Sequence, residues 1–316
     1  MISVIVPAYN SEKTIGECLQ ALEKQTKKSD EIIVVDDGSN DKTRNAVKKF
    51  SKVRLIEQDH RGPAAARNLG AKNAKGEILL FMDADCKADR EWVSEMTRPF
   101  SDKEISGVQG RYKTAQKGLV ARFVQLEIED RYDRMRKRKY IDFVGSYSAG
   151  YRRSVFLEFG GFDESFRMAS GEDPDISFKI SKAGHKIVFS ENAVVYHNHV
   201  NSLPAYLKQK FWRAYWRVLL YRKHPGKIAS ESYTPQTLKL QILALVGFAL
   251  SCIVSLLIPH AFYVSLLSVA FLLLLTLPLS FKNFRKDKAV GISTPFISIL
   301  RTIIFAFGMT YGALKL

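Results

Sequence analysis

Glu77-Ile78-Leu79-Leu80-Phe81-Met82-Asp83-Ala84-Asp85 is an apolar run that ends in two carboxylates. Ile78 to Met82 is continuously apolar, as expected of a parallel-sheet strand covered on both faces. Asp83 and Asp85 stand two apart, so at a strand end their side chains point the same way. Aligned carboxylates repel unless a cation joins them. A hard divalent ion, shared with a substrate's phosphates, is one resolution. The plainer reading is that Asp85 or Asp89 caps a helix beginning near Arg90.

On the N-terminal side, strand and helix signals alternate. Ile2 to Val6, Glu31 to Val35 and Val53 to Gln58 read as strands. Helices are expected from Glu12 to Gln25, from Asn40 or Asp41 to Phe50, and from Ala64 to Ala74. Such alternation predicts a mostly parallel α/β sheet with right-handed crossovers. Ligands of such sheets bind beyond the carboxyl ends of the strands. Three of these ends carry Pro7 and Tyr9, Asp36 and Asp37, and Asp83 and Asp85. Tyr9 offers a flat face to a nucleobase or packs as an ordinary tyrosine. Asp37 is an acceptor for base N–H groups, whereas Asp36 reads equally well as a helix cap. Arg67 either reaches a phosphate or is a solvated arginine.

Taken together, Val4-Ile5-Val6-Pro7-Ala8-Tyr9-Asn10, Val34-Val35-Asp36-Asp37-Gly38-Ser39, Ala66-Arg67-Asn68-Leu69-Gly70 and Met82-Asp83-Ala84-Asp85 resemble the family 2 glycosyltransferases over roughly residues 1–225. The resemblance implies a GT-A fold, a Rossmann-like mixed sheet with helices on both faces. It also implies a nucleotide-sugar donor, UDP- or GDP-linked. Pro7, Tyr9 and Asp37 would hold the nucleoside. Asp83 and Asp85 would form the metal motif, with Asp85 the direct ligand of Mn²⁺ or Mg²⁺.

Ser170-Gly171-Glu172-Asp173-Pro174-Asp175 reads first as a helix start, with Asp173 as cap and the helix over Ile176–Ala183. It also resembles the family's Glu-Asp pair. That implies Asp173 as the base taking the acceptor's proton and Glu172 as its orienting partner. His197 ends a strand and matches the histidine that completes the metal shell in related enzymes, with His199 as the alternative.

The chain has 316 residues, a formal net charge of +16 and 46% hydrophobic residues, unevenly spread. Past Leu238, the stretches Leu240–Ile258 and His260–Phe281 are nearly uncharged, and Pro295–Leu314 carries only Arg301. Crossing a bilayer takes roughly 20 apolar residues. Two spans are therefore expected, and the third stretch is either a span or an interfacial or re-entrant helix. Leu203 to Lys227 mixes aromatics with cations and has no acid, as interfacial segments do. Gln209-Lys210-Phe211-Trp212-Arg213 only loosely resembles the Gln-x-x-Arg-Trp motif of processive polysaccharide synthases, since Trp and Arg are exchanged.

Three parts are expected: a GT-A domain over 1–200, a basic aromatic segment over 201–235 and a membrane part over 238–316. The first residues read as a strand rather than a signal peptide, and Lys282–Lys288 reads as a basic loop. Both place the catalytic domain in the cytosol of a multi-pass membrane protein. Arg131–Lys139 is a second basic stretch, suited to anionic lipid or an acceptor's phosphates. It lacks interleaved base-reading aromatics, so no nucleic-acid partner is expected. Cys18, Cys86 and Cys252 form no disulfide or metal-ligand pattern.

The expected activity is inverting transfer from a nucleotide sugar to a lipid-linked acceptor at the cytosolic face, in glycan or glycolipid assembly. The alternatives are a polyprenyl-phosphate sugar synthase, a processive synthase, or a non-catalytic membrane scaffold.

Overall fold

The structure, a computed structural model, describes residues 1–166, 170–228, 231 and 234–316. The expected 201–235 segment therefore runs partly over positions outside the described residues. The chain forms two compact units. The first comprises Met1–Ala115, Tyr132–Asn198 and Lys223–Ser232; the second comprises Gln116–Arg131, His199–Arg222 and Tyr233–Leu316. Residues 116–131, placed by sequence within a 1–200 domain, thus pack with the C-terminal helices.

In chain order, the elements up to Asn73 are β1 (Ile2–Ala8), α1 (Ile15–Glu23), β2 (Glu31–Asp37), α2 (Thr43–Val47), β3 (Val53–Gln58) and α3 (Pro63–Asn73). Then come β4 (Ile78–Met82), β5 (Cys86–Ala88), α4 (Trp92–Thr97), β6 (Ile105–Lys113) and α5 (Leu119–Arg136). After them follow β7 (Ser148–Arg152), α6 (Arg153–Glu158), α7 (Glu172–Lys182) and β8 (Lys186–His197). The eight strands form one sheet in the order β3-β2-β1-β4-β7-β6-β8-β5. β1, β2, β3 and β4 pair in parallel, β7 runs antiparallel to both β4 and β6, and β6 and β8 are parallel. The mixed, mostly parallel sheet expected from the sequence is present.

β1 and β4 are buried apolar strands at the centre. α3 lies close on β1 because Gly70 has no side chain: a Cβ there would stand 2.5 Å from Ile5 Cγ2.

The three-stranded step from β4 to β5 decides the site. β7, β6 and β8 lie between them in the sheet, yet only Asp83, Ala84 and Asp85 connect them in sequence. Four inter-strand steps of a flat sheet would need about 19 Å. Four Cα steps reach at most about 14 Å. The sheet must therefore curl, and the curl carries the end of β8 towards the end of β4. The short strand β5, which the sequence reading missed, fastens this curl by pairing antiparallel with β8, Cys86 opposite His197.

The second unit contains α8 (Leu203–Lys223) up to Arg222, α9 (Gln236–Ser255), α10 (Ala261–Leu274), α11 (Leu277–Lys286) and α12 (Lys288–Lys315). Three stretches, Thr237–Ser255, Ala261–Lys286 and Lys288–Lys315, are long and apolar enough to cross a membrane. The basic stretch 282–288, read from sequence as a loop, is helical on both sides of Asp287. The Asp287 side chain accepts from Val290 N and caps α12. Lys282 and Lys286 reach Asp130 and Glu129 of α5 at 2.6 Å each, so half-buried carboxylates neutralise part of the basic stretch.

The sequence reading gave the cations of α8 to the surface. Lys210 is instead turned inward, 2.6 Å from Glu127 Oε2, while Arg301 Nη1 donates to Glu127 Oε1 at 2.8 Å. Burial works to raise the Glu127 pKa, but Lys210 and Arg301 outweigh it and hold the carboxyl well below its usual range. Removing the carboxylate would leave two buried cations without their shared counter-charge. Glu127→Gln is expected to destabilise this unit by about 3–5 kcal/mol. Thermal unfolding in detergent checks this, and an unchanged midpoint would show the cluster to be energetically silent.

Candidate active site

A cavity of about 700 Å³ opens beyond the carboxyl ends of β1, β2 and β4. Its lining includes Pro7, Tyr9, Asp37, Arg67, Asp83 and Asp85, which lie far apart in sequence. Tyr9 is 43% exposed, and its ring stacks on His60 with centroids 4.1 Å apart. Asp37 is buried and already well supplied with donors. Its Oδ1 accepts from Arg61 N at 2.8 Å and Gln58 Nε2 at 2.6 Å; its Oδ2 accepts from Gly62 N at 2.9 Å. Asp37 therefore fixes the 58–62 turn against the cavity floor. Asp36 accepts from Ser39 N at 3.1 Å, which closes the turn after β2 rather than capping α2.

Asp83 and Asp85 diverge in their partners. Arg67 Nη2 donates to Asp83 Oδ1 at 2.7 Å, and His197 Nε2 lies 3.2 Å from Asp85 Oδ2. Partial desolvation works to raise the Asp85 pKa, but the hydrogen bond and charge of His197 outweigh it and keep the carboxylate ionised. Asp85 caps no helix: α4 begins at Trp92, with Glu91 at its cap position. Of the two readings of this carboxylate, the cap is removed. His199 is engaged elsewhere, its Nε2 2.9 Å from Gln125 Oε1.

One ligand atom each from Asp83, Asp85 and Cys86 lies within 4.8 Å of the others. Burial, then the charges of Asp83 and Asp85, push the Cys86 thiol well above its ordinary pKa. A protonated thiol is a poor ligand. The usable donor set is thus two carboxylates with an imidazole beside them. Hard oxygens and a nitrogen fit a divalent ion of the Mn²⁺ or Mg²⁺ type.

Arg67, which the sequence reads as either reaching a phosphate or solvated, is only 2% exposed, so the solvated reading is removed. Its second nitrogen, Nη1, lies 3.3 Å from Glu172 Oε1. It therefore bridges the carboxylate at the end of β4 to the start of α7. Its guanidinium also sits 5.6 Å from the Phe162 ring centroid. Asn68, one residue on, exchanges two hydrogen bonds with the backbone of Phe162 and so holds the 159–164 turn against α3.

The helix bearing Glu172 and Asp173 starts earlier than the sequence predicts. α7 runs from Glu172, with Gly171 at the cap, so Asp173 lies in the first turn rather than before it. No side chain caps α7; the Glu172 carboxylate instead folds back on the preceding turn, accepting from Ser170 N at 2.8 Å and Gly171 N at 3.1 Å. Burial pushes the Glu172 carboxyl up, with Arg67 and these N–H groups pulling the other way. Asp173 is partly exposed. Ser146 N donates to its Oδ2 at 3.0 Å, while its Oδ1 has no partner. Desolvation and the neighbouring Glu172 raise the Asp173 pKa from 3.8 to about 8. An orphaned carboxylate oxygen with a raised pKa is the kind of group that exchanges a proton near neutrality.

His60 and Ser146 escaped the sequence reading, and Asn68 enters it only as part of the Ala66–Gly70 motif, without a partner. Their partners lie 23, 94 and 27 residues away in the chain, and no local pattern announces them.

The glycosyl transferase family 2 model matches residues 3–160. The chain belongs to that family. It is 30% identical over 207 residues to the glycosyltransferase AglE of Haloferax volcanii, covering 62% of this chain and 66% of the relative. It is 27% identical over 266 residues to the pre-mycofactocin glycosyltransferase of Mycobacterium tuberculosis, covering 81% of this chain and 55% of that one. The chain thus spans 55% to 66% of the length of these curated relatives. Among solved structures it is similar to the mannosyltransferase PcManGT of Pyrobaculum calidifontis, in complex with GDP-Man and Mn²⁺. The TM-score is 0.64 at 20% identity, covering 98% of this chain and 87% of that one. This family member has the GT-A fold.

Proposed function

We propose that the protein is a divalent-metal-dependent, inverting, non-processive glycosyltransferase. It moves a sugar from a UDP- or GDP-linked donor to a lipid-linked acceptor at the cytosolic face of the cell membrane. One observation carries the reading: a carboxylate pair at the end of β4 shares a cavity with Tyr9 and Asp37, and Arg67 links it to the acidic start of α7. The anionic donor fits this charge arrangement, and the three apolar helices fit a lipid acceptor.

The residues take these parts. Tyr9 stacks on the nucleobase beside His60. Asp37 holds the 58–62 turn that closes the nucleoside end. Asp83, Asp85 and His197 would hold the divalent ion, which when bound neutralises charge on the leaving diphosphate. Arg67 keeps Asp83 and Glu172 in register across the floor. Glu172 orients the acceptor through the first turn of α7. Asp173 accepts the proton of the acceptor hydroxyl as its oxygen bonds the anomeric carbon and the bond to the diphosphate breaks. That single displacement inverts the anomeric configuration. Basic groups of the 131–139 and 203–227 stretches hold the chain on anionic lipid.

The assay is purified protein with Mn²⁺ or Mg²⁺, a panel of nucleotide sugars and a membrane lipid extract. A lipid-soluble product carrying a single added sugar is the expected outcome. A ladder of growing products would point to a processive synthase, and no release of nucleotide from any donor would point to a scaffold.

The raised pKa of Asp173 sets a pH dependence. The base must be ionised, so activity falls as pH drops below its pKa. The pH profile of kcat/KM reports groups of the free enzyme. It is expected to rise about tenfold per pH unit up to an inflection near 8, and to flatten above it. An inflection in the ordinary carboxylate range would remove Asp173 from this role.

A further inference from the structure

α12 is long and apolar enough to cross a bilayer, yet its neighbours are not those of a spanning helix. It lies alongside α8 over most of its length. Ile297 packs with Tyr206, and Arg301 shares Glu127 with Lys210. Further on, a Cβ at Gly308 would meet Phe211 O at 2.4 Å, and one at Gly312 would meet Tyr215 O at 2.7 Å. The two glycine contacts advance by four residues on each helix, so the helices run parallel there in close backbone approach. Gly308 and Gly312 form a small-xxx-small pair of the kind that joins membrane helices, and here the partner is α8. α8 carries Lys208, Lys210, Arg213, Arg217, Arg222 and Lys223 and no acid. Such a helix does not enter hydrocarbon.

The contacts with α9 agree. α12 meets it through Leu238, Gln241 and Ile242, all in the first two turns of α9. α9 and α10 pair further along, where Ser251 and Ser265 are hydrogen-bonded at 2.8 Å. α12 thus sits at the base of the α9–α10 hairpin rather than along it. Its outer face is apolar: Ile292, Phe296, Phe307, Tyr311 and Leu314 are exposed and fall within roughly a quarter of the helix circumference.

We propose that α12 lies in the membrane surface beside α8, that the chain crosses the bilayer twice, as the α9–α10 hairpin, and that the α8–α12 pair docks on anionic lipid headgroups. Charge complementarity names the occupant. Lys208 and Arg222 are exposed on α8 and Arg213 is half-buried, and the apolar stripe of α12 sinks to the acyl boundary beside them. The inference rests on the membrane attachment proposed above and adds its topology.

The test uses the full chain with Cys252→Ser, since Cys18 and Cys86 are buried. Fluorophores are attached to Phe296→Cys or Phe307→Cys, and the protein is reconstituted in anionic vesicles containing lipids with quenchers at known depths. Both labels are expected at the same shallow depth. A spanning α12 would separate them by about 16 Å, from 11 residues of helical rise, and that result overturns the proposal. Quenching of neither label would remove the membrane attachment as well, and flotation of the unlabelled chain tells these failures apart. A second measurement labels Lys208→Cys and Lys315→Cys with a membrane-impermeant maleimide. Labelling from one common side is expected; labelling of Lys315→Cys from the opposite side, or from neither, overturns the proposal.

Discussion

Asp85→Asn is expected to abolish metal-dependent donor binding. The amide keeps the shape of the carboxylate and its oxygen, but it loses the charge that a hard cation requires. Asp85 is also the carboxylate that His197 faces at 3.2 Å, so the substitution disturbs two of the three members of the donor set. Loss of one charged ligand removes several kcal/mol of stabilisation from a bound ion and diphosphate. In calorimetry, Mn²⁺ should tighten nucleotide-sugar binding to the parent protein by about 100-fold or more and leave the variant unaffected. Equal metal enhancement in the two proteins would exclude Asp85 as a ligand. The fold is expected to survive, because the Asp85 side chain is half exposed and caps no helix.

Asp173→Asn separates proton transfer from binding. The substitution removes a base of raised pKa while keeping the Ser146 N–H hydrogen bond, because an amide oxygen also accepts. Donor affinity should stay within about twofold. Transfer to a hydroxyl acceptor should fall by about 10²–10⁴-fold, the usual worth of general base catalysis. Retention of the parent rate would rule out Asp173 as the base. A phosphate monoester acceptor is already anionic and needs little base. A mild defect confined to such acceptors would therefore identify the acceptor chemistry.

Much of this was readable along the chain. The β1, β2, β3 and β4 strands follow from short apolar runs, and β3 and β4 have the bounds that the sequence indicates. Local signals suffice there because period, turn residues and strand-end carboxylates all lie within a few residues of one another. The family resemblance has the same origin, four short motifs at the strand ends and on α3. The three apolar stretches are equally plain, since length and composition are properties of a segment.

What the chain order concealed were the partners. Asp83 and Asp85 identify themselves as a pair at a strand end, but their chemistry depends on neighbours distant in sequence. The curl fastened by β5 brings His197 to Asp85, Arg67 turns inward to join Asp83 to Glu172, and the early start of α7 puts Asp173 in a helix turn with one oxygen unpartnered. Likewise, the charge of α8 and the apolarity of α12 are plain in the residues, but their alignment is not. Amino-acid type sets what a side chain offers: charge, hydrogen-bonding capacity and apolar area. Packing sets its pKa, its partner and the solvent it faces, because these depend on distance and dielectric, which arise only when remote segments are brought together.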